Sequence, residues 1–307
     1  MKRRLIAAAL CFNCIATVAV AQAPSPYLEE ASPAGENYAV ADYRFWTPPS
    51  VPSVRALLVL VPGSNGDGRN MAEDTVWQQF ATKNKLAIVA CHFKDKPHDQ
   101  NFIEDYVQVS HGSGQALLDA IGKLATRSQH PELTTVPILL WGMSAGGQFD
   151  YEFAVWKPER VAAFVVNKGG IYYTALTPRE TRNTPAILFT GGKDLESRRT
   201  TITGLFELNR RGGALWAIAE EPSAAHIVGR SRDLSMVFFE DVLRLRLADG
   251  GALKALSDSS GYVGDPHTQT IQAANVGKPP QYPTAWLPTE RVAKAWQAVV
   301  SDRAIEP

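Results

Sequence analysis

The chain has 307 residues, 45% of them hydrophobic and 20% charged, and its 31 basic residues balance its 31 acidic ones. Such a composition excludes a disordered chain, a collagen-like repeat and a cysteine-dense scaffold. With no basic surplus, neither nucleic acid nor an anionic membrane is expected as a partner.

The first segment reads as a secretory signal. Lys2, Arg3 and Arg4 precede an apolar stretch from Leu5 to Val20, and Ala19-Val20-Ala21 and Ala21-Gln22-Ala23 are small-x-small cleavage patterns. Cleavage after Ala21 or Ala23 is expected, which makes residues 1–23 the signal and predicts a periplasmic or extracellular protein that keeps no membrane anchor. Cys11 and Cys14 lack the context of a lipid-anchored cysteine. They leave with the signal, as do three basic residues and no acid, so that 28 basic residues remain against 31 acidic ones, about −3. Cys91 is then the sole cysteine and has no disulfide partner; its place at the end of an apolar run predicts a buried structural thiol.

Residues 24–307 suffice for a single α/β domain. Tyr38 to Thr47 alternates in polarity and predicts an antiparallel edge strand. Continuous apolar runs follow at 57–61, 86–90, 138–141, 161–166, 186–190 and 215–219. Strands apolar on both faces belong in a sheet covered on both sides, which means a mostly parallel one. Helical stripes lie between the runs: Leu117, Leu118, Ile121, Leu124 and Ala125; Ile202, Leu205 and Phe206; Met236, Phe239, Val242 and Leu243. The fold class predicted is α/β, a doubly wound, mostly parallel sheet with helices on both faces. Residues 250–307 are rich in glycine and proline and read as an extension packed on the same domain, closed by a helix from about Thr289 to Ser301. Trp77, Trp156, Trp286 and Trp296 read as packing residues.

The run at 138–141 leads into Gly142-Met143-Ser144-Ala145-Gly146-Gly147. A serine hydroxyl is well presented on a sharp strand-to-helix turn, and glycines two residues either side remove the side chains that would clash there. A nucleophilic serine needs a base, and the base an orienting acid. In doubly wound sheets such groups lie beyond the carboxyl ends of strands. Gly191-Gly192-Lys193-Asp194 follows the run at 186–190, and His226 follows the run at 215–219. Glu196 and Glu220 are alternatives to Asp194, and His267 to His226. His92 and His98 with Asp95 and Asp99 fit no standard zinc spacing, so no metal is expected.

The elbow at 142–146, the Gly-Gly-Lys-Asp stretch at 191–194 and the late His226 together resemble the α/β-hydrolase superfamily, and more loosely its secreted esterases of the polyhydroxybutyrate-depolymerase and feruloyl-esterase type. The resemblance implies an ester hydrolase without a cofactor. Ser144 would attack, His226 would carry the proton and Asp194 would orient the imidazole. It further implies an oxyanion hole built from the Ala145 amide and one from the loop Pro62-Gly63-Ser64-Asn65-Gly66, at Ser64 or Asn65. Members usually carry His-Gly where this chain has Pro62-Gly63. Met143, Tyr172 and Tyr173 are candidate substrate contacts, the tyrosines lying on the loop that opens with Lys168-Gly169-Gly170. The stretch 167–185 is too short for a large helical lid, and the open site expected from that suits bulky or polymeric esters. A secreted binding protein on the same fold is the reading from a different class. The sequence carries no sign of oligomeric state.

Overall fold

The computed structural model describes residues 25–100, 103–247, 252–276 and 281–306; the expected signal segment lies outside them. Eight strands form one sheet in the order β1-β2-β4-β3-β5-β6-β7-β8. They are β1 (Tyr27–Ser32), β2 (Val40–Trp46), β3 (Ala56–Val61), β4 (Leu86–Lys94), β5 (Ile138–Met143), β6 (Val161–Asn167), β7 (Ala186–Gly191) and β8 (Trp216–Glu221). The pairs β1–β2 and β2–β4 are antiparallel, and every pairing from β4 to β8 is parallel.

Both faces of the parallel strands are buried, as their unbroken apolar runs require. Along β3, Leu57, Val59 and Val61 point into one hydrophobic cluster while Leu58 and Leu60 point into the other. The helices α2 (Ser113–Ser128), α3 (Ala145–Trp156) and α5 (Glu196–Arg211) cover the first cluster. On the opposite face α1 (Thr75–Asn84), α6 (Ser231–Arg246) and α7 (Glu290–Val300) cover the second. The remaining helix, α4 (Arg179–Arg182), is a single turn between β6 and β7.

Two features differ from the sequence-based expectation. The alternating segment forms β2, but β1 lies outside it and is the true edge. Its sequence, YLEEAS, has no apolar run to betray it. Its acids are instead met from neighbouring elements: Glu29 by Arg44, Glu30 by Lys123 and Arg127. Charge on an edge strand discourages pairing with another chain. The C-terminal extension carries its expected helix, α7, and also a small antiparallel sheet in the order β10-β9-β11. Its strands β9 (Tyr262–Gly264), β10 (Ile271–Ala273) and β11 (Ala285–Leu287) have three residues each, too few to show a period. Cys91 is buried in β4. Among the described residues no helix is long and apolar enough to cross a membrane.

Candidate active site

The carboxyl ends of β3, β5, β7 and β8 converge on one point. Ser144 stands between β5 and α3 with φ 56° and ψ −122°, a backbone conformation that L-residues seldom adopt. The turn is that tight because α3 starts directly beneath the strand end. A Cβ on Gly142 would lie 2.2 Å from the Gly146 carbonyl carbon, and one on Gly146 would lie 2.2 Å from the Val61 oxygen at the end of β3. The Ser144 amide donates to the Asn167 carbonyl of β6 at 2.8 Å, which holds the strained residue in place.

The Ser144 hydroxyl lies 3.0 Å from His226 Nε2, and His226 Nδ1 lies 2.8 Å from Asp194 Oδ2. An ionised carboxylate only accepts, so the ring proton belongs on Nδ1 and the Nε2 lone pair faces the hydroxyl. The Asp194 side chain is 2% exposed. Burial works to raise its pKa, but hydrogen bonds from His226, the Leu195 amide and Arg198 outweigh it and hold the carboxyl below its ordinary value. The Asp194 and His226 loops are zipped together, Gly192 N donating to Glu221 O at 2.8 Å and Lys193 N to Ala224 O at 2.9 Å. Gly191 permits that approach, since a Cβ there would lie 2.6 Å from the Ala224 oxygen.

The alternatives lie elsewhere. Glu220 pairs with Arg199 at 3.2 Å, and Glu196 opens α5. His267 packs edge-on against Tyr282, beside a separate cavity of about 260 Å³ between α5 and the C-terminal extension.

Three main-chain amides are the candidate oxyanion donors. Ala145 N begins α3, where an N–H has no partner within the helix. On the β3 loop the Asn65 amide donates to the Tyr106 hydroxyl at 3.3 Å. Among the described residues the Ser64 amide donates to no acceptor. A Cβ on Gly63, just before it, would be 3.6 Å from the Ser144 Cβ, so the loop passes close over the serine. Beyond Ser64 and Asn65 lies an open recess of about 390 Å³, lined also by Asp95, Pro97, His98 and Glu104.

Met143 is half-buried against the α6–α7 cluster. Tyr172 packs on the opposite cluster, its ring 5.0 Å from that of Tyr151 and its hydroxyl buried without a partner among the described residues. Tyr173, 44% exposed, is the outward member of the pair. Its amide is anchored by the buried Glu152 at 2.7 Å. His92 lies 3.4 Å from Asp42 in β2, and among the described residues no group of three His, Cys, Asp or Glu side chains is placed to hold a metal. Sequence reasoning did not single out Asn167, Lys168 or Glu221, which lie beneath the site. A lysine straight after seven buried strand residues was the available signal.

No protein-family model and no curated protein matches the chain. Solved structures do. A ferulic acid esterase has a TM-score of 0.54 at 9% identity, the match covering 71% of this chain and 98% of that one. The poly(3-hydroxybutyrate) depolymerase LpqC from Bordetella parapertussis has a TM-score of 0.50 at 16% identity, over 69% and 89%. The chain has the α/β-hydrolase fold. A thermostable esterase shares that α/β-hydrolase likeness with a TM-score of 0.50 at 16% identity, over 64% of this chain but only 54% of its own length. At such identities the likeness is one of fold.

Proposed function

We propose that this α/β-hydrolase is a serine esterase that hydrolyses carboxylic esters through an acyl-enzyme. The observation that carries the reading is the unbroken line of hydrogen bonds from Ser144 Oγ through His226 to buried Asp194. In the first half-reaction Ser144 Oγ bonds to the ester carbonyl carbon while His226 Nε2 takes the hydroxyl proton. The C–O bond to the alcohol then breaks and His226 returns the proton to the departing oxygen. A water, deprotonated by the same nitrogen, then attacks the acyl carbon; the bond to Ser144 Oγ breaks, His226 returns the proton to that oxygen and the acid leaves. Asp194 stays ionised and holds the ring. Ala145 N and Ser64 N donate to the oxyanion, Asn65 N being engaged by Tyr106. No step calls for a cofactor.

The β6–β7 connection favours an open site, since its helical content is the single turn α4. Bulky or polymeric esters, of the polyester or feruloyl type, are therefore a second reading, one that suits the depolymerase and the ferulic acid esterase among the similar folds. Export through cleavage after Ala21 or Ala23 belongs to the same proposal, and N-terminal sequencing of the mature protein tests it.

The experiment is hydrolysis of a para-nitrophenyl ester series by wild type, Ser144→Ala and His226→Ala. Each variant is expected to lose about 10³-fold or more in kcat while remaining folded. Equal rates in all three proteins would discard the esterase and favour a binding protein on this fold. The chain-length profile separates small from bulky substrates.

A further inference from the structure

The proposed triad draws on the ends of β5, β7 and β8; β6, which lies between β5 and β7, supplies none of it. What β6 presents instead is Asn167 and Lys168, both fully buried. Lys168 adopts a left-handed φ of 59°, and its side chain turns inward under the site. Its Nζ donates to Asn167 Oδ1 at 3.0 Å and to Glu221 Oε1 at 2.5 Å. The other Glu221 oxygen accepts the Arg230 amide at 2.6 Å. Asn167 Nδ2 donates to Ser231 Oγ at 2.6 Å and to the Val228 carbonyl at 3.3 Å. Glu221 begins the loop that carries His226, and Val228, Arg230 and Ser231 end it. The backbone of Asn167 meanwhile accepts the Ser144 amide.

We infer that Asn167, Lys168 and Glu221 are positioning residues for the proposed ester hydrolysis, a buried strut that sets the separation of Ser144 and His226. The inference rests on the esterase reading for its catalytic consequence, but its geometry stands apart from it. One end of the strut holds the nucleophile's own amide, and the other holds both ends of the histidine loop. Residues Ser223, Ile227, Val228 and Gly229 of that loop are exposed, so little hydrophobic packing fixes them. A buried ion pair is a poor source of net stability, because desolvation of two charges offsets their attraction. Burial works to strip the Lys168 proton and Glu221 works to keep it, burial being the stronger. Its use is directional: Lys168 Nζ ties Asn167 Oδ1 to Glu221 Oε1, and the second Glu221 oxygen is held by the Arg230 amide. Gly229 shows how closely the loop is drawn down. It sits at φ 58°, and a Cβ there would lie 2.2 Å from Glu221 Oε2.

Lys168→Met alone leaves the Glu221 carboxylate buried without a cation, a change that can unfold a protein. The test therefore uses Lys168→Met/Glu221→Gln, which removes both charges and keeps an acceptor for the Arg230 amide, and Gly229→Ala as an independent wedge. Para-nitrophenyl acetate turnover and amide hydrogen exchange over residues 222–231 are measured for both, for wild type and for Ser144→Ala. The expected result is a fall in kcat of about 10- to 100-fold with KM within about threefold, as follows from a displacement of order 1 Å, together with faster exchange confined to the loop. Folded variants with wild-type kcat and wild-type exchange would overturn the strut. If wild type turns over no faster than Ser144→Ala, the esterase reading falls instead, and loop exchange alone then decides the strut: faster exchange upholds it and unchanged exchange removes it.

Discussion

Asp150 sits in α3, six residues past Ser144, with both carboxyl oxygens buried and unpartnered among the described residues. Burial alone drives its pKa well above the ordinary carboxylate range. Below about pH 4 both the folded and the unfolded chain hold this proton. Above that, the unfolded chain releases a proton that the folded chain retains, so native stability is lost as pH rises toward the folded value. Asp150→Asn removes the loss without changing shape. Its urea midpoint should exceed that of wild type at neutral pH, with a gap that widens as pH rises above the ordinary carboxylate range toward the folded value; parallel midpoints would show that Asp150 is not the group responsible. The residues of the proposed triad were readable because each follows an apolar run closely, and chain position there implies a place at the carboxyl edge. The partners of Lys168 and the inward turn of Tyr172 were not readable. Both depend on which segment, distant in sequence, lies underneath, and neither residue type announces burial: lysine is almost never fully buried unless paired.

Elements follow the same division. The six parallel strands were plain from continuous apolar runs that recur with helical stripes between them, whereas β1 and the small C-terminal sheet were hidden by charge and by brevity. What the sequence could not show is how closely elements approach one another. The start of α3 rests against the end of β3 so tightly that a methyl on Gly146 would meet the Val61 oxygen at 2.2 Å and the Pro62 oxygen at 2.5 Å. Both obstacles are main chain, which cannot swing aside as a side chain would. Gly146→Ala should therefore push the Gly63-Ser64 loop away from the serine. We expect a loss of stability of about 1–3 kcal/mol, the usual effect of overpacking, and a fall of at least about tenfold in kcat. Thermal melts and ester turnover read both, and a variant with wild-type values would mean that the contact is looser than described.

At the scale of the whole molecule, β8 ends the sheet and would present an open edge. The C-terminal extension closes it. Trp296 of α7 is fully buried, and its indole Nε1 donates to the Ile218 carbonyl of β8 at 2.6 Å. Gly264 of β9 lies flat on the same ring, where a Cβ would come within 2.6 Å. The extension thus braces the strand from which the His226 loop departs. Trp296→Ala should lower unfolding free energy by about 3–5 kcal/mol, from the cavity and from the unpaired carbonyl together. A denaturant midpoint close to wild type would count against the extension as part of the folding unit.

The flanking amides of Ser64 and Ala145 have a consequence for heredity. Almost any codon change alters a side chain and leaves the N–H in place, so the proposed oxyanion donors are nearly immune to missense mutation. Proline alone deletes an N–H. An alanine scan would pass over Ser64 in silence and could not be made at Ala145 at all. Mutational tolerance at these two positions is thus no measure of their part in catalysis.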